Sequence, residues 1–403
     1  MLLTSHPSRV WLTSCGVLCG GTDSIDALFE AARVDRRVDG NLPNGDSLAA
    51  LAGIGAGDSS ILARHQLLAL AVVEQAWTAG GLSSVRNRLR GEEVKQRHSR
   101  WGCVSGSSLG GLCAMESEMG AAKKFSPYSI SRWRSNAISA VTTVRYGLGG
   151  PDFSLNAASA TGAQILYLAG SLVASGMADL IVAVAADSEV TPVVRSAMER
   201  NRSVSSNVDC RPLSAGRSGM APVEGAACVI LESEAHARRR GASPMAEWIS
   251  GELANEACHL MAPAPDARVL EELLRRVRLC AVDKRGEGSE VDWISLHATG
   301  TPRFDAAEVG CLHRIFGTSL PWISALKRTT GHALAASGLL EASLIAAGLS
   351  AREVPSWPSE IDPALGLPNF PPHSAAVKPK LAVQIGQGMG GTVVVNLLGA
   401  VEA

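Results

Sequence analysis

The 403-residue sequence lacks an excess of charge of either sign, since 37 lysines and arginines stand against 38 aspartates and glutamates. It has no basic stripe with interleaved aromatic residues, so nothing in it points to a nucleic acid partner. Its longest apolar runs, such as "LIVAVAA", fall far short of the roughly 20 residues that a membrane helix needs. The N-terminus lacks the charged start, apolar run and cleavage site of a signal peptide. We therefore expect a cytoplasmic protein without a membrane span.

Metal and nucleotide motifs are absent as well. The nine cysteines are scattered without a Cys-x-x-Cys pair, and several lie in apolar runs, which predicts a reduced compartment with buried thiols. "CLH" at 311–313 is too little for a zinc site, so we predict no metal. There is no Walker motif. Gly386, Gly388 and Gly391 fit Gly-x-Gly-x-x-Gly, but a strand follows them, so no helix N-terminus is available for a pyrophosphate. This glycine turn instead predicts a close backbone approach to a ligand.

What the sequence does contain is an alternation of short apolar strands with helical patterns. Strands such as "ADLIVAVAA" and "GAACVILES" are apolar on both faces, which predicts an α/β fold with buried, largely parallel strands. Both halves contain units of strand, small-residue loop and Ala/Gly-rich helix, which suggests a duplication. A charged helix end followed by Gly and Pro, in residues 232–248, marks the best boundary. We therefore predict an N-terminal half of residues 1–240 and a C-terminal half of residues 241–403.

The stretch 152–188 predicts a strand, a turn of small residues, a helix and a second strand, with Ser159 in the turn. On local sequence the favoured interpretation is that Ser159 caps the helix N-terminus. The alternative is a nucleophile beside the positive end of the helix dipole. A serine hydroxyl is a weak acid, so this second role requires a base from elsewhere in the chain.

Two histidines lie at strand ends where such a partner is expected. His297 follows the strand "VDWISL", and residues at the carboxyl ends of strands in such sheets line the site crevice. Lys327 follows the strand "PWISAL". His332 is predicted at the start of the next helix, where the dipole disfavours the imidazolium and leaves a neutral ring. Two histidines at matching strand ends, one with a lysine beside it, favour a functional site.

Taken together, these residues resemble the β-ketoacyl-ACP synthases of the thiolase fold, the elongating condensing enzymes of fatty acid and polyketide synthesis. The resemblance covers nearly the whole chain and rests on "YGLGGPDFSLNAASATGAQ", "HATGTPRFDAAE", "KRTTGH" and "GMGGT" in the family's order and spacing. It implies two similar halves in a five-layered α-β-α-β-α core. It also implies a dimer, either of two copies or with a homologous subunit, and an acyl carrier protein whose phosphopantetheine carries the substrate, with no other cofactor.

The resemblance also implies roles for individual residues. Ser159 occupies the position of the nucleophilic cysteine, His297 and His332 match the two catalytic histidines, and Lys327 matches the lysine that orders the second histidine. The remaining roles are an oxyanion hole from the backbone N–H groups of Ser159 and Met389, structural support from Asp305 and Glu308, pantetheine contacts from Thr299 and Thr301, and substrate contacts from Gln387 and Met220.

Departures from the family pattern concern the nucleophile and the gate. Gln387 and Met389 occupy positions where the family carries two phenylalanines, and Met220 occupies the position of a third phenylalanine. Three explanations of Ser159 fit the sequence. The chain is a synthase altered from Cys to Ser, or a serine-dependent acyltransferase with His297 or His332 as base, or a non-elongating partner subunit that shapes chain length. Because His297, Lys327 and His332 are all retained, the sequence favours an enzyme.

Overall fold

A computed structural model describes residues 8–82, 98–121, 125–205, 211–286, 289–369 and 377–401. Cys210 lies outside these ranges. The described residues form ten strands: β1 Val10–Cys19, β2 Trp101–Gly106, β3 Asp152–Leu155, β4 Leu180–Asp187, β5 Gly225–Ser233, β6 Ala246–Asn255, β7 Trp293–Ser295, β8 Trp322–Ser324, β9 Leu381–Gln387 and β10 Thr392–Gly399.

The same residues form fourteen helices: α1 Ile25–Arg33, α2 Gly45–Leu51, α3 Ala56–Ser59, α4 Arg64–Ala79, α5 Leu112–Ala121, α6 Ser129–Trp133, α7 Ala137–Tyr146, α8 Thr161–Ala174, α9 Pro192–Arg200, α10 Glu234–Arg239, α11 Arg268–Arg285, α12 Pro302–Phe316, α13 Lys327–Thr330 and α14 Ala336–Ala351. A single 3₁₀ turn covers Pro363–Leu365.

The strand order displays the duplication that the sequence suggested. Hydrogen bonding gives the order β3-β2-β4-β5-β1-β6-β10-β9-β7-β8. Counted outward from the centre, β1-β5-β4-β2-β3 in one half corresponds to β6-β10-β9-β7-β8 in the other. The two half-sheets meet where the start of β1 pairs with the start of β6, from Val10 opposite Trp248 to Leu12 opposite Ala246. The predicted boundary at residue 240 lies between α10 and β6, and it stays a prediction.

Helices cover the half-sheets in five layers. Helices α4 and α7 pack on the outer face of the first half-sheet, and α11 packs on the outer face of the second. Helices α8 and α14 lie between the half-sheets, where α8 contacts β4 and β6 while α14 contacts β5 and β9. The prediction of a five-layered thiolase fold is thereby confirmed.

The expectation of largely parallel strands is wrong. Within the described residues only β2–β3, β2–β4, β7–β8 and β7–β9 are parallel pairs, and the other five pairs are antiparallel. The reason is that helix layers bury most of the strands on both faces, whatever their direction. The apolar character of a strand therefore indicates that it is buried between layers and does not indicate its direction.

Two glycines let the central helices touch at their N-terminal ends. A Cβ atom on Gly162 of α8 would lie 2.5 Å from the carbonyl oxygen of Ala335, and one on Gly338 of α14 would lie 2.3 Å from the amide nitrogen of Ala163. Real Cβ contacts are never this short, so only glycine fits at either position. The close approach brings the turn before α8 and the turn before α14 to one place.

Two further findings bear on the setting of the protein. No helix in the ranges given above combines the length and the apolarity that a membrane crossing requires. All eight cysteines that the structure describes are free thiols, and most of them are buried in the core.

Candidate active site

The turn that carries Ser159 is held in a strained conformation. Ala158 has a φ of +50°, in the left-handed region that costs an L-residue about 1–2 kcal/mol. Its N–H donates to Oδ1 of Asn156 at 3.1 Å, and its carbonyl accepts from the hydroxyls of Ser108 at 2.9 Å and Thr161 at 2.6 Å. Strain that the surroundings enforce in this way is characteristic of functional turns.

Ser159 does not cap the helix, so that local interpretation is wrong. Helix α8 begins at Thr161, and its N-cap residue is Ala160, which has no side-chain oxygen to offer. Instead the hydroxyl of Thr161 accepts from the N–H of Ala157 at 2.9 Å. The Ser159 hydroxyl has no hydrogen-bond partner in the part of the chain that the structure describes. It borders a cavity of about 410 Å³.

Eight residues singled out in the sequence line this one cavity: Ser159, Met220, His297, Thr299, Thr301, His332, Gln387 and Met389. Most of them come from the ends of strands or the loops that follow strands, whereas Met220 precedes β5 and His332 lies between α13 and α14. The other three, Asp305, Glu308 and Lys327, are fully buried and lie behind the wall. Phe304, His259 and Met261 also line the cavity and were not predicted.

His332 presents a hydrogen-bond donor. The N–H of Leu334 donates to Nδ1 of His332 at 3.0 Å, so the neutral ring carries its proton on Nε2. Nε2 is buried and has no partner among the described residues. Burial, and then the charge of Lys327, lower the pKa of His332 to about 3. The ring is therefore neutral at physiological pH, with a free N–H for a ligand oxygen.

His332 does not start a helix, contrary to the expectation. It lies in the turn between α13 and α14, four residues before Ala336 begins α14. The helix dipole is therefore not the main reason that the ring is neutral. Burial and the nearby lysine are.

His297 is positioned through its backbone. Its N–H and that of Ala298 donate to the two carboxyl oxygens of Glu308, at 2.7 and 2.9 Å. Its ring is perpendicular to that of His332, with the centroids 6.2 Å apart. Burial, followed by the charge of Lys327 and by His332, holds the pKa of His297 well below its usual value. The site thus contains two neutral imidazoles side by side.

Lys327 contacts the first histidine and not the second. Its Nζ donates to the carbonyl oxygen of His297 at 2.6 Å and to Oε1 of Glu341 at 2.5 Å. No hydrogen bond joins Lys327 to His332 among the described residues. The contacts therefore do not support the expectation that Lys327 orders His332 directly. Its influence on His332 is electrostatic, because the buried ammonium disfavours a second positive charge nearby.

Asp305 and Glu308 act on the loop that follows β7. Asp305 accepts the N–H groups of Leu213 at 2.8 Å and Gly300 at 3.1 Å, and burial raises its pKa to about 6. Burial likewise raises the pKa of Glu308 to about 8, against the two amide donors that lower it. Both carboxyls fix the loop of Thr299 and Thr301, whose hydroxyls hydrogen-bond to each other at 3.0 Å.

The backbone amides of Ser159 and Met389 both lack an acceptor among the described residues. Met389 is in the glycine turn between β9 and β10, and this turn packs directly on the Ser159 turn. A Cβ on Gly388 would lie 2.2 Å from the carbonyl oxygen of Ala157. The close backbone approach that the sequence predicted for the glycine turn is therefore made to the turn of Ser159. Ser159 and Met389, whose N–H groups lack an acceptor, line the same cavity.

Sequence reasoning missed Asp187, at the end of β4. This buried carboxylate accepts the N–H groups of Ser108 and Leu109 at 3.0 Å each and that of Ala335 at 2.9 Å. It therefore ties the loop after β2 to the turn before α14. The sequence signal that could have identified Asp187 is an acidic residue at the end of an otherwise apolar strand. No cluster of three or more potential metal ligands occurs in the described ranges.

A strained turn that carries Ser159, two neutral histidines and two amide N–H groups without an acceptor thus come together in a thiolase fold. Comparison with family models gives the same class. The N-terminal domain model of beta-ketoacyl synthase matches residues 18–237, and the C-terminal domain model matches residues 246–358. The chain therefore belongs to the beta-ketoacyl synthase family.

Individual relatives agree with this assignment. The chain is 29% identical over 320 residues to 3-oxoacyl-[acyl-carrier-protein] synthase 2 of Vibrio harveyi, covering 75% of each chain. It is 28% identical over 411 residues to nodulation protein E of Rhizobium meliloti, covering 95% of this chain and 97% of that one. A beta-ketoacyl synthase structure from Burkholderia phymatum superposes with a TM-score of 0.80 at 22% identity, over 98% of this chain and 100% of the other, which supports the fold.

Proposed function

We propose that the protein is a β-ketoacyl synthase-type acyltransferase that uses acyl and malonyl thioesters carried on an acyl carrier protein. The observation that carries the proposal is the single cavity shared by the Ser159 hydroxyl, two neutral imidazoles and two unpaired amide N–H groups. The name of the Vibrio harveyi relative supports a carrier-bound substrate. Thr299 and Thr301, on the cavity wall, are the proposed contacts for the pantetheine arm.

Acyl transfer would begin with attack of Ser159 Oγ on the thioester carbon. A C–O bond forms, the C–S bond breaks, and the carbonyl oxygen becomes an oxyanion that the N–H groups of Ser159 and Met389 stabilise. The serine proton passes to the leaving pantetheine thiolate through a base. His332 carries its proton on the nitrogen without a partner, so His297 is the imidazole available for this step.

Condensation would use His332 as a neutral donor. The malonyl thioester carbonyl accepts from Nε2–H, the bond to the carboxylate breaks, and CO2 leaves. The electron pair forms an enolate that the donor stabilises. The carbon then attacks the acyl ester, a C–C bond forms, and the Ser159 alkoxide leaves and takes up a proton. No cofactor is needed in this scheme, since the broken C–C bond supplies the electrons.

Ser159 changes which step is slow. A serine hydroxyl is a much weaker acid than a cysteine thiol, so little of it is ionised for attack, and the alkoxide is a poorer leaving group than a thiolate. Decarboxylation does not involve the nucleophile, so we expect it to proceed with the residues present. Acylation of Ser159 is then the limiting step.

A non-elongating partner subunit is the second candidate. It is favoured by the absence of any hydrogen bond from the Ser159 hydroxyl to a base among the described residues, since an activated nucleophile has its base within reach. Strand β3 offers an attachment point. Among the described residues it ends the sheet and pairs only with β2, and its Phe153 is exposed. An unpaired edge can be extended by a strand of a second subunit, whether a copy or a homologue.

The test is to incubate the protein with acyl carrier protein loaded with an acyl group and then with a malonyl group. Mass spectrometry detects an ester on Ser159, and released CO2 measures decarboxylation. We expect decarboxylation by the wild type and by Ser159→Ala, slow acylation of the wild type but none of Ser159→Ala, and condensation at least tenfold faster in Ser159→Cys. If neither the wild type nor Ser159→Cys decarboxylates or becomes acylated, the enzyme proposal fails and the partner subunit takes its place.

We also infer a cytoplasmic setting and two halves, residues 1–240 and 241–403, that each supply part of the site. Free, mostly buried thiols support a reduced compartment. The repeated strand order on the two sides of the β1–β6 junction supports the division. Ser159 comes from the first half, while His297, Lys327 and His332 come from the second.

A further inference from the structure

Gln387 places an amide in the cavity with no partner. It is the last residue of β9 and only 4% exposed, and it borders the same cavity as Ser159 and His332. Its side-chain nitrogen is fully buried and makes no hydrogen bond within the part of the chain that the structure describes. Leaving such a group unsatisfied costs about 1–3 kcal/mol.

The backbone on both sides of Gln387 packs closely against the first half of the chain. Gly386 and Gly388 flank it, and a Cβ atom there would lie 2.4 Å from Cβ of Ala163 and 2.2 Å from the carbonyl oxygen of Ala157. The strand end is thus pressed against α8 and its preceding turn. The backbone that carries the amide is therefore closely held, and a ligand in the cavity can supply the missing partner.

The surrounding wall is mostly apolar and adaptable. Met220, Met261, Phe304 and Met389 line the cavity beside Gln387. Methionine side chains adjust to the shape of an acyl chain but offer no strong hydrogen bond. A saturated chain would satisfy these residues and leave the amide without a partner.

We infer that Gln387 is a specificity-determining residue that selects acyl chains with an oxygen near the thioester, as in 3-oxoacyl or 3-hydroxyacyl groups, over saturated chains of equal length. The inference rests on the proposed function. In that scheme the reacting carbonyl binds the two backbone amides and the malonyl carbonyl binds His332. The next oxygen along the acyl chain is at carbon 3, and it is the acceptor left for the amide.

Equilibrium binding tests the inference without requiring catalysis. The probes are the amide analogues of acetoacetyl-pantetheine and butyryl-pantetheine, in which nitrogen replaces the thioester sulfur so that no transfer occurs. Isothermal titration calorimetry on the wild-type protein should give a preference of about tenfold or more for the acetoacetyl analogue, since a buried amide left unpaired disfavours the butyryl analogue.

Gln387→Met, which keeps the side-chain length, should abolish that preference. Gln387→Glu presents a carboxylate to the same ligand oxygen, so it should weaken binding of the acetoacetyl analogue more than Gln387→Met does. Gln164→Met is the matched control, because Gln164 is half-buried on α8 and lies outside the cavity lining, and it should keep the wild-type ratio.

Equal binding of the two analogues by the wild type, or an unchanged ratio in a folded Gln387→Met, overturns the inference and leaves the proposed function standing. Failure to bind either analogue, together with no decarboxylation of malonyl carrier protein, overturns both.

Discussion

Replacing Lys327 with methionine is expected to destabilise the fold as well as the site. The Nζ of Lys327 lies 2.5 Å from Oε1 of Glu341, and the side chains are only 2% and 1% exposed. Removing one partner of a buried ion pair strands the other charge, at a cost of about 3–5 kcal/mol. The carbonyl oxygen of His297 loses its donor at the same time. We expect Lys327→Met to lose at least about 3 kcal/mol of unfolding free energy.

The double variant Lys327→Met/Glu341→Leu separates structure from chemistry. It removes both charges, and apolar replacement of a buried pair is often neutral. We expect most of the stability to return, apart from about 1–3 kcal/mol for the unpaired carbonyl of His297. Acylation of Ser159 should stay impaired, because His297, the proposed base for that step, is no longer held in place.

Urea unfolding at pH 7.5 measures the stability of the three proteins, and mass spectrometry of the acyl ester formed on Ser159 measures the chemistry. Arg268→Met is the control. Arg268 pairs with Asp266 on the surface and is 85% exposed, so its loss should change stability by no more than about 0.5 kcal/mol. A loss below about 1 kcal/mol in Lys327→Met, or a double variant no more stable than the single one, would refute the reasoning.

Two other predictions concern packing and pH. Gly338→Ala forces a Cβ to within 2.3 Å of the Ala163 nitrogen and should cost about 1–3 kcal/mol of unfolding free energy, whereas Gly120→Ala, with open space around it, should be neutral or stabilising. Thermal melts that rank the two variants the other way would contradict this. The pKa of His332 is lowered to about 3 from 6.5, so the unfolded chain binds a proton that the folded one does not, and stability falls as pH drops below about 6.5. Between pH 7.5 and pH 5, the unfolding free energy of His332→Asn in urea should fall by about 2 kcal/mol less than that of the wild type. Equal losses in the two proteins would count against a buried neutral ring.

Much of the site could be predicted because its residues follow strand ends. His297 and Lys327 come after β7 and β8, and Met389 comes after β9. Carboxyl ends of strands gather at a common edge, so residues far apart in the sequence could be expected in one crevice. The family-like order of the motifs strengthened that expectation, and the cavity lining agrees with it.

What could not be predicted depends on contacts across the fold. Whether Ser159 caps α8 or faces a cavity is decided by Thr161, whose hydroxyl binds the turn in its place. The partner of Lys327 is Glu341, fourteen residues away on α14, and no local pattern joins them. Strand direction was missed for a similar reason, since most strands are buried on both faces whichever way they run.

The turns before α8 and α14 occupy similar places in the two halves but hold different residues at the cavity. Ala158 before α8 and Leu334 before α14 both have positive φ, at +50° and +48°. Neither is glycine, so each turn carries backbone strain. In the first turn the strain sets the residue that follows, Ser159, at the cavity. In the second it directs the Leu334 N–H to Nδ1 of His332, which fixes the ring proton on Nε2. A relaxed Leu334 would leave the tautomer of His332 open, so a strained turn of the same kind places Ser159 at the cavity in one half and sets a neutral N–H donor in the other.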